Sequence, residues 1–131
     1  GQPNATFVSL QYGDHSKEIA DVSAALGCDI ILDPNIDALN NMDSFAAQVA
    51  TMDLVITNSN TAAHMAGSLG VPAWIMVPRV GSGGALWYWF KEGERSPWYK
   101  SIRLYRQTEW KGWTNVINRV AADLEEFLRI K

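Results

Sequence analysis

Along this chain the spacing of apolar positions switches between two and three-to-four. Short apolar or β-branched runs at residues 6–10, 29–32, 54–57, 73–77 and 102–105 are bounded by polar or turn-forming residues, and each reads as a strand. Between them the spacing lengthens. Ile19, Val22, Ala25 and Leu26 recur at helical intervals within residues 15–26, and Gly27 ends the pattern, so an amphipathic helix is predicted. Residues 33–41 hold Pro34 with several Asn and Asp and read as a loop. Asp43 or Ser44 then caps a helix to about Thr51 through Phe45, Ala46 and Val49. Thr114 caps a last helix whose apolar positions, among them Val116, Ile117, Val120, Ala121 and Leu124, share one face.

The most informative stretch is residues 54–78. A buried strand leads into Asn58, Ser59, Asn60 and Thr61, all residues able to cap a helix. The helix that follows is built of small residues, including Ala62, Ala63, Ala66 and Gly67, and so can lie close to a sheet. Gly70 and Pro72 stop it before the next strand. The five strand-then-helix units predict an α/β fold: a single Rossmann-like domain over residues 1–131, with about five parallel strands and helices on both faces. Ligands of such folds bind outside the carboxyl ends of the strands. The loops at 11–14, 33–41, 58–61, 78–85 and 107–113 are therefore the candidate binding loops.

Composition narrows the function classes. The chain has 131 residues, enough for one domain. A net charge of −3 argues against sequence-independent nucleic-acid binding, which needs a dense basic surface. Cys28 is the single cysteine, so no intrachain disulfide forms; a reducing, cytoplasmic setting is expected. No secretory leader is visible, and no apolar run approaches the roughly 18 residues that span a bilayer. Five of the six tryptophans follow residue 86. They predict either an exposed docking surface around Trp87, Trp89, Trp98 and Trp110, for a missing domain or a second copy, or a satellite core beneath residues 78–98.

Several chemistries lack their signatures. No G-x-G-x-x-G follows the first strand, and there is no P-loop or nucleophile elbow. No His/Cys cluster has metal-ligand spacing, so neither metal nor cofactor is expected. Gly81, Ser82, Gly83 and Gly84 lack the phosphate-binding Lys and read as a flexible lid. What remains is Asn58–His64. It fits an anion site at a helix N-terminus, and it fits equally a plain cap with a histidine bonded nearby. Gln11 and Tyr12, after the first strand, read as site residues or as turn residues.

Five segments occur in order: Phe7 through Gly13; Met52 through Thr57; His64 through Pro72; Ser96-Pro97-Trp98-Tyr99; and Arg103-Leu104-Tyr105-Arg106-Gln107. Together they resemble the C-terminal, donor-binding half of bacterial glycosyltransferases of the two-Rossmann (GT-B) type. The likeness is greatest to the glycosyltransferase-like domains that follow tetratricopeptide repeats, akin to heptosyltransferases and O-linked N-acetylglucosamine transferases. The resemblance implies binding of a nucleotide sugar, without metal, by a transferase. The diphosphate would rest on Asn58, Ser59, Asn60, Thr61 and His64, with Gln11 and Tyr12 reaching in from the first strand and Arg79 adding charge. It also implies an N-terminal Rossmann half or helical repeats carrying the acceptor site, without which the domain is inactive or serves as a non-catalytic ligand-binding or docking module. Two departures stand out: Ser59 sits where many relatives carry Asp, and Gln11-Tyr12 replaces a heptosyltransferase-type Lys.

Overall fold

The structure, a computed structural model, describes residues 4–131; residues 1–3 of the expected domain lie outside it. The elements run β1 (Phe7–Val8), α1 (Ser16–Leu26), β2 (Ile30–Ile31), α2 (Met42–Ala50), β3 (Val55–Asn58), α3 (Thr61–Leu69), β4 (Ala73–Val77), a 3-10 turn at Trp87–Trp89, β5 (Ile102–Arg106) and α4 (Thr114–Ile130). All ladders between named strands are parallel. The strands form two sheets, β1–β2 and β3–β4–β5. The chain is thus α/β with parallel sheets and four helices.

Within the three-stranded sheet β4 and β5 are packed on both faces, whereas Ile56 and Asn58 of β3 stay exposed, and the side chains sort by the period-two rule. Val55, Ala73, Ile75, Val77, Ile102 and Leu104 turn to one face, under α2 and α3. Phe45, Val49, Ala62, Ala63 and Ala66 meet them there. Trp74, Met76 and Tyr105 turn to the other face, beneath Val116 and Val120 of α4. The small residues of α3 let its axis approach the sheet, and Ala63 and Ala66 are fully buried.

Helix ends follow the capping chemistry, with two shifts from expectation. The α2 cap is Asn41, whose side chain accepts from the Ser44 N–H, so neither Asp43 nor Ser44 caps it. Thr114 is the first residue of α4 rather than its cap; Trp113 holds that position without a side-chain bond. Of the four capping residues at the start of α3, Asn60 is the one that caps it, and Gly27 and Gly70 close α1 and α3 in the left-handed conformation.

Three larger differences concern packing. The strand-then-helix alternation breaks between β4 and β5, where residues 78–101 hold one 3-10 turn and otherwise irregular backbone. The apolar stripe of α1 buries no residue, and Leu26 is 63% exposed, because the two-residue strands β1 and β2 offer it little surface. In α4, Ile117 is exposed although it was expected on the buried face.

The seam between β5 and α4 is polar at one point. The Tyr105 hydroxyl donates to Asp123 Oδ2 at 2.8 Å, and Arg103 bonds the same oxygen at 2.8 Å while its guanidinium lies over the Tyr105 ring. Burial, reinforced by this bond, pushes the Tyr105 hydroxyl well above the ordinary tyrosine range. Above about pH 10 the unfolded chain sheds this proton while the folded chain keeps it. Stability is therefore expected to fall as the pH rises through that range. Urea melts between pH 9 and 11 should show a shallower fall for Tyr105→Phe than for the parent chain; parallel curves would contradict the assignment.

Candidate functional site

A cleft of about 750 Å³ separates β1 from β3. Its walls are the outer edges of those strands, and Leu124, Phe127 and Leu128 of α4 also line it. At the carboxyl ends of the strands its rim carries Gln11 on one side and Thr57 and Asn60 on the other. Gln11 is exposed; its backbone N–H is held by the Ser9 hydroxyl, and its amide group makes no bond to the described residues. Asn60 spends its side-chain oxygen on the Ala63 N–H. The Thr61 and Ala62 N–H groups, orphaned as at any helix start, form no hydrogen bond with the described residues.

The other expected residues lie elsewhere. Tyr12 and Asn58 are exposed and do not line the cleft. Ser59 and His64 are brought together, but beneath the irregular segment between β4 and β5. The Trp89 indole N–H donates to Ser59 Oγ at 2.6 Å, and the Tyr88 hydroxyl lies 3.5 Å from the same oxygen. His64 stacks on Trp89 with ring centroids 5.3 Å apart and meets Tyr88 and Tyr99 edge-on. Its Nδ1 shares a hydrogen bond of 3.1 Å with the Tyr99 hydroxyl. Both residues at the start of α3 are thus committed to an aromatic clasp that pins residues 87–99 over the helix. A histidine bonded nearby was one of the two readings of this stretch, and it describes the geometry seen.

Arg79 is likewise engaged. Its guanidinium donates to the Thr108 carbonyl at 3.2 Å and lies 4.6 Å from the Trp110 ring. Its backbone N–H donates to the side chain of buried Gln107, which in turn donates to the Gly112 carbonyl. Gln107 therefore ties together the loops that follow β4 and β5.

Three residues that carry the organisation of this region escaped the sequence reading. Arg106 donates to the carbonyls of Trp89, Phe90, Glu92 and Gly93, so a single guanidinium holds the turn after Trp89. Burial lowers its pKa from the usual arginine value. Ser96 accepts from the Trp98 and Tyr99 N–H groups, which aims Tyr99 at His64. Gly67 lies against the Tyr99 ring, where a Cβ would come within 2.5 Å of it. The Arg106 and Gly67 contacts have no local signature, since their partners lie many residues away, whereas the Ser96 bonds are local, to residues two and three positions on; the ordered motifs at 96–99 and 103–107 mark these positions without giving their roles.

The tryptophans divide between the two expected fates. Trp89 is buried, whereas Trp87, Trp98 and Trp110 are exposed at 78%, 56% and 62%. Among the described residues, no group of three or more His, Cys, Asp or Glu side chains is placed to hold a metal, and no helix is long and apolar enough to cross a membrane.

The chain is 35% identical over 125 residues to a protein named FlbA from Caulobacter vibrioides, a match covering 95% of this chain and 20% of that protein. The chain thus spans about a fifth of that relative's length. No family model and no solved structure matches the chain significantly.

The Gly67–Tyr99 contact is open to direct test. Helix propensity alone favours Ala over Gly by about 1 kcal/mol. Overpacking against the ring costs typically 1–3 kcal/mol and displaces the Tyr99–His64 bond. Thermal denaturation of Gly67→Ala should therefore show a loss of stability, with altered near-ultraviolet dichroism from the aromatic clasp. A stabilised protein would contradict the close approach.

Proposed function

We propose that this chain is the nucleotide-sugar-binding domain of a metal-independent glycosyltransferase of the two-Rossmann type. The observation that carries the reading is the cleft that runs along β1 and β3, with Gln11 on one side of its carboxyl-end rim and the Asn60-capped start of α3 on the other. Across the cleft the spatial order of strands is β2, β1, β3, β4, β5. Taken as one doubly wound sheet, this order reverses direction between β1 and β3. That is the point at which open α/β sheets receive their ligands.

In this reading the diphosphate lies at the start of α3, where the Thr61 and Ala62 N–H groups and the helix dipole offset its charge. The Gln11 amide donates to a phosphate or sugar oxygen from the opposite rim. Departure of the nucleoside diphosphate builds negative charge on the leaving oxygen, and fixed N–H donors aimed there lower the barrier. Neither Ser59 nor His64 contacts the ligand; each supports the helix start through the aromatic clasp. The acceptor, and the base that deprotonates it, come from another domain. The isolated chain therefore binds donor without transferring sugar, because transfer requires both reactants held in register. The FlbA relative, five times longer by its coverage, leaves room for such a domain in proteins of this kind.

A second reading is favoured by one observation. Ser59 and His64, at the start of α3, are both bonded into the clasp and do not line the cleft. A fold that kept the helix for packing alone would look the same, and the domain would then be a non-catalytic binding or docking module.

Titration calorimetry with uridine, guanosine and adenosine diphosphates separates the two. Donor binding predicts micromolar or weaker affinity for one of them. Gln11→Glu places a carboxylate at the rim without disturbing a packed side chain and should weaken that affinity about tenfold, near 1.4 kcal/mol. Absence of heat with every diphosphate at millimolar concentration would leave the docking module as the account of this domain.

A further inference from the structure

A second cavity, of about 880 Å³, opens on the irregular segment between β4 and β5. Its apolar walls include Val80, Leu86, Trp87, Phe90 and Pro97, and its rim carries Lys91, Glu92 and Arg95. It shares no lining residue with the cleft between β1 and β3. Trp87, Phe90, Leu86 and Val80 are all exposed, so the walls form a continuous apolar surface open to water.

Phe90 is the observation that packing does not explain. It is the one described non-glycine residue with positive φ, at φ 59° and ψ −171°, a region that suits glycine. Strained backbone persists only where the surrounding structure over-determines it, and it clusters at functional sites. Here the ring is 51% exposed. The strain is sustained by Arg106, which holds the carbonyls on either side of the turn, and its visible result is that the Phe90 ring stands beside Trp98 on the wall of the groove. The turn thus spends backbone strain on presenting an aromatic face to solvent.

Charge decides what the face would meet. The side chains of Lys91 and Arg95 form no ion pair or hydrogen bond with the described residues. Glu92, the one acid on the rim, lies in the field of the Arg106 guanidinium. By contrast, Arg103 and Arg119 nearby are paired with Glu94 and Asp123. The rim is therefore cationic on a chain whose net charge is −3. A sugar fits this groove poorly. Its hydroxyls need several partners, and the one hydroxyl of the lining, Ser82, already donates to the Arg79 carbonyl at 2.6 Å. Aliphatic and aromatic walls with two unpaired cations at their edge suit apolar side chains flanked by carboxylates.

We propose that this groove binds an acidic polypeptide segment that carries alternating apolar side chains, at a site separate from the cleft at β1 and β3. Leu86, Trp87 and Phe90 take the apolar side chains, and Lys91 and Arg95 pair with the carboxylates.

The test uses this chain and an array of short labelled peptides in which leucine and phenylalanine alternate with glutamate, lysine or serine, read by fluorescence anisotropy at low salt. Glutamate-containing peptides should bind at least tenfold more tightly than either other class. Phe90→Gly should keep or raise the melting temperature, because it relieves the backbone strain, yet lose that binding tenfold or more; Trp87→Ala should lose it as well. Reversing Lys91 and Arg95 to Glu together should transfer the preference to lysine-containing peptides. Equal binding of the three classes, or binding untouched by Trp87→Ala and Phe90→Gly, would overturn the proposal. Self-association seen by sedimentation and abolished by Trp87→Ala would also overturn it, by assigning the groove to a second copy of the chain. Nucleoside diphosphate binding that survives in these variants leaves the cleft reading intact, so the two sites fail or stand separately.

Discussion

The fold depends on how the backbone between β4 and β5 finds hydrogen-bond partners. In a parallel α/β unit a crossover helix ordinarily supplies them internally. Here residues 78–101 contain one 3-10 turn and little else that is regular. Buried carbonyls in such a segment need donors from outside it. Arg106, projecting from the end of β5, provides them to the carbonyls of Trp89, Phe90, Glu92 and Gly93 around the turn after Trp89. A guanidinium suits the task because its donors are fixed in one plane and point in several directions at once. The cost is partial burial of a charge, which its carbonyl partners offset.

Once that turn is fixed, the aromatic clasp follows. Trp89 is carried inward to Ser59 and stacks on His64, and Ser96 sets the angle at which Tyr99 closes over Gly67. The same turn sends Trp87 and Phe90 outward. One interaction therefore shapes two surfaces: it braces the start of α3, which borders the cleft at β1 and β3, and it builds the apolar groove on the other side. The clasp packs on α3 through Ser59, His64 and Gly67, none of which lines the cleft.

The two halves of the sheet differ in how firmly they are specified. β4 and β5 send apolar side chains to both faces of their sheet and β3 buries Val55 on one, so a slip of one residue would turn these side chains away from their partners. β1 and β2 are two residues long, and the helix between them buries nothing fully. Less contact holds this end of the molecule, and it is here that the cleft lies. Binding surfaces are commonly found where packing demands least.

The sequence alone determined the elements whose pattern is local. The small-residue helix between Asn60 and Gly70 was legible to the residue, because caps and stops act within one turn. So were β4 and the end of α1. The parallel α/β class followed from the order of strands and helices. Asn60 and Gln11 were legible as residues at strand ends, and the structure places both at one cleft. The tertiary structure alone decided the rest. Asn58–His64 fitted an anion site and a plain cap with a bonded histidine equally, and only the folded chain supplies the partners of Ser59 and His64, Trp89 and Tyr99, which lie about thirty residues on. Arg106 reads as an ordinary strand arginine, and only the return of the chain after β4 gives it four carbonyls to hold. The apolar stripe of α1 predicts burial, but burial needs an opposing surface, which two-residue strands do not supply. The fate of the tryptophans was also tertiary: Trp89 finds Ser59 and His64 beneath it, while Trp87, Trp98 and Trp110 stay exposed. Local periodicity records which faces a segment could bury; only the folded chain fixes which partners reach them.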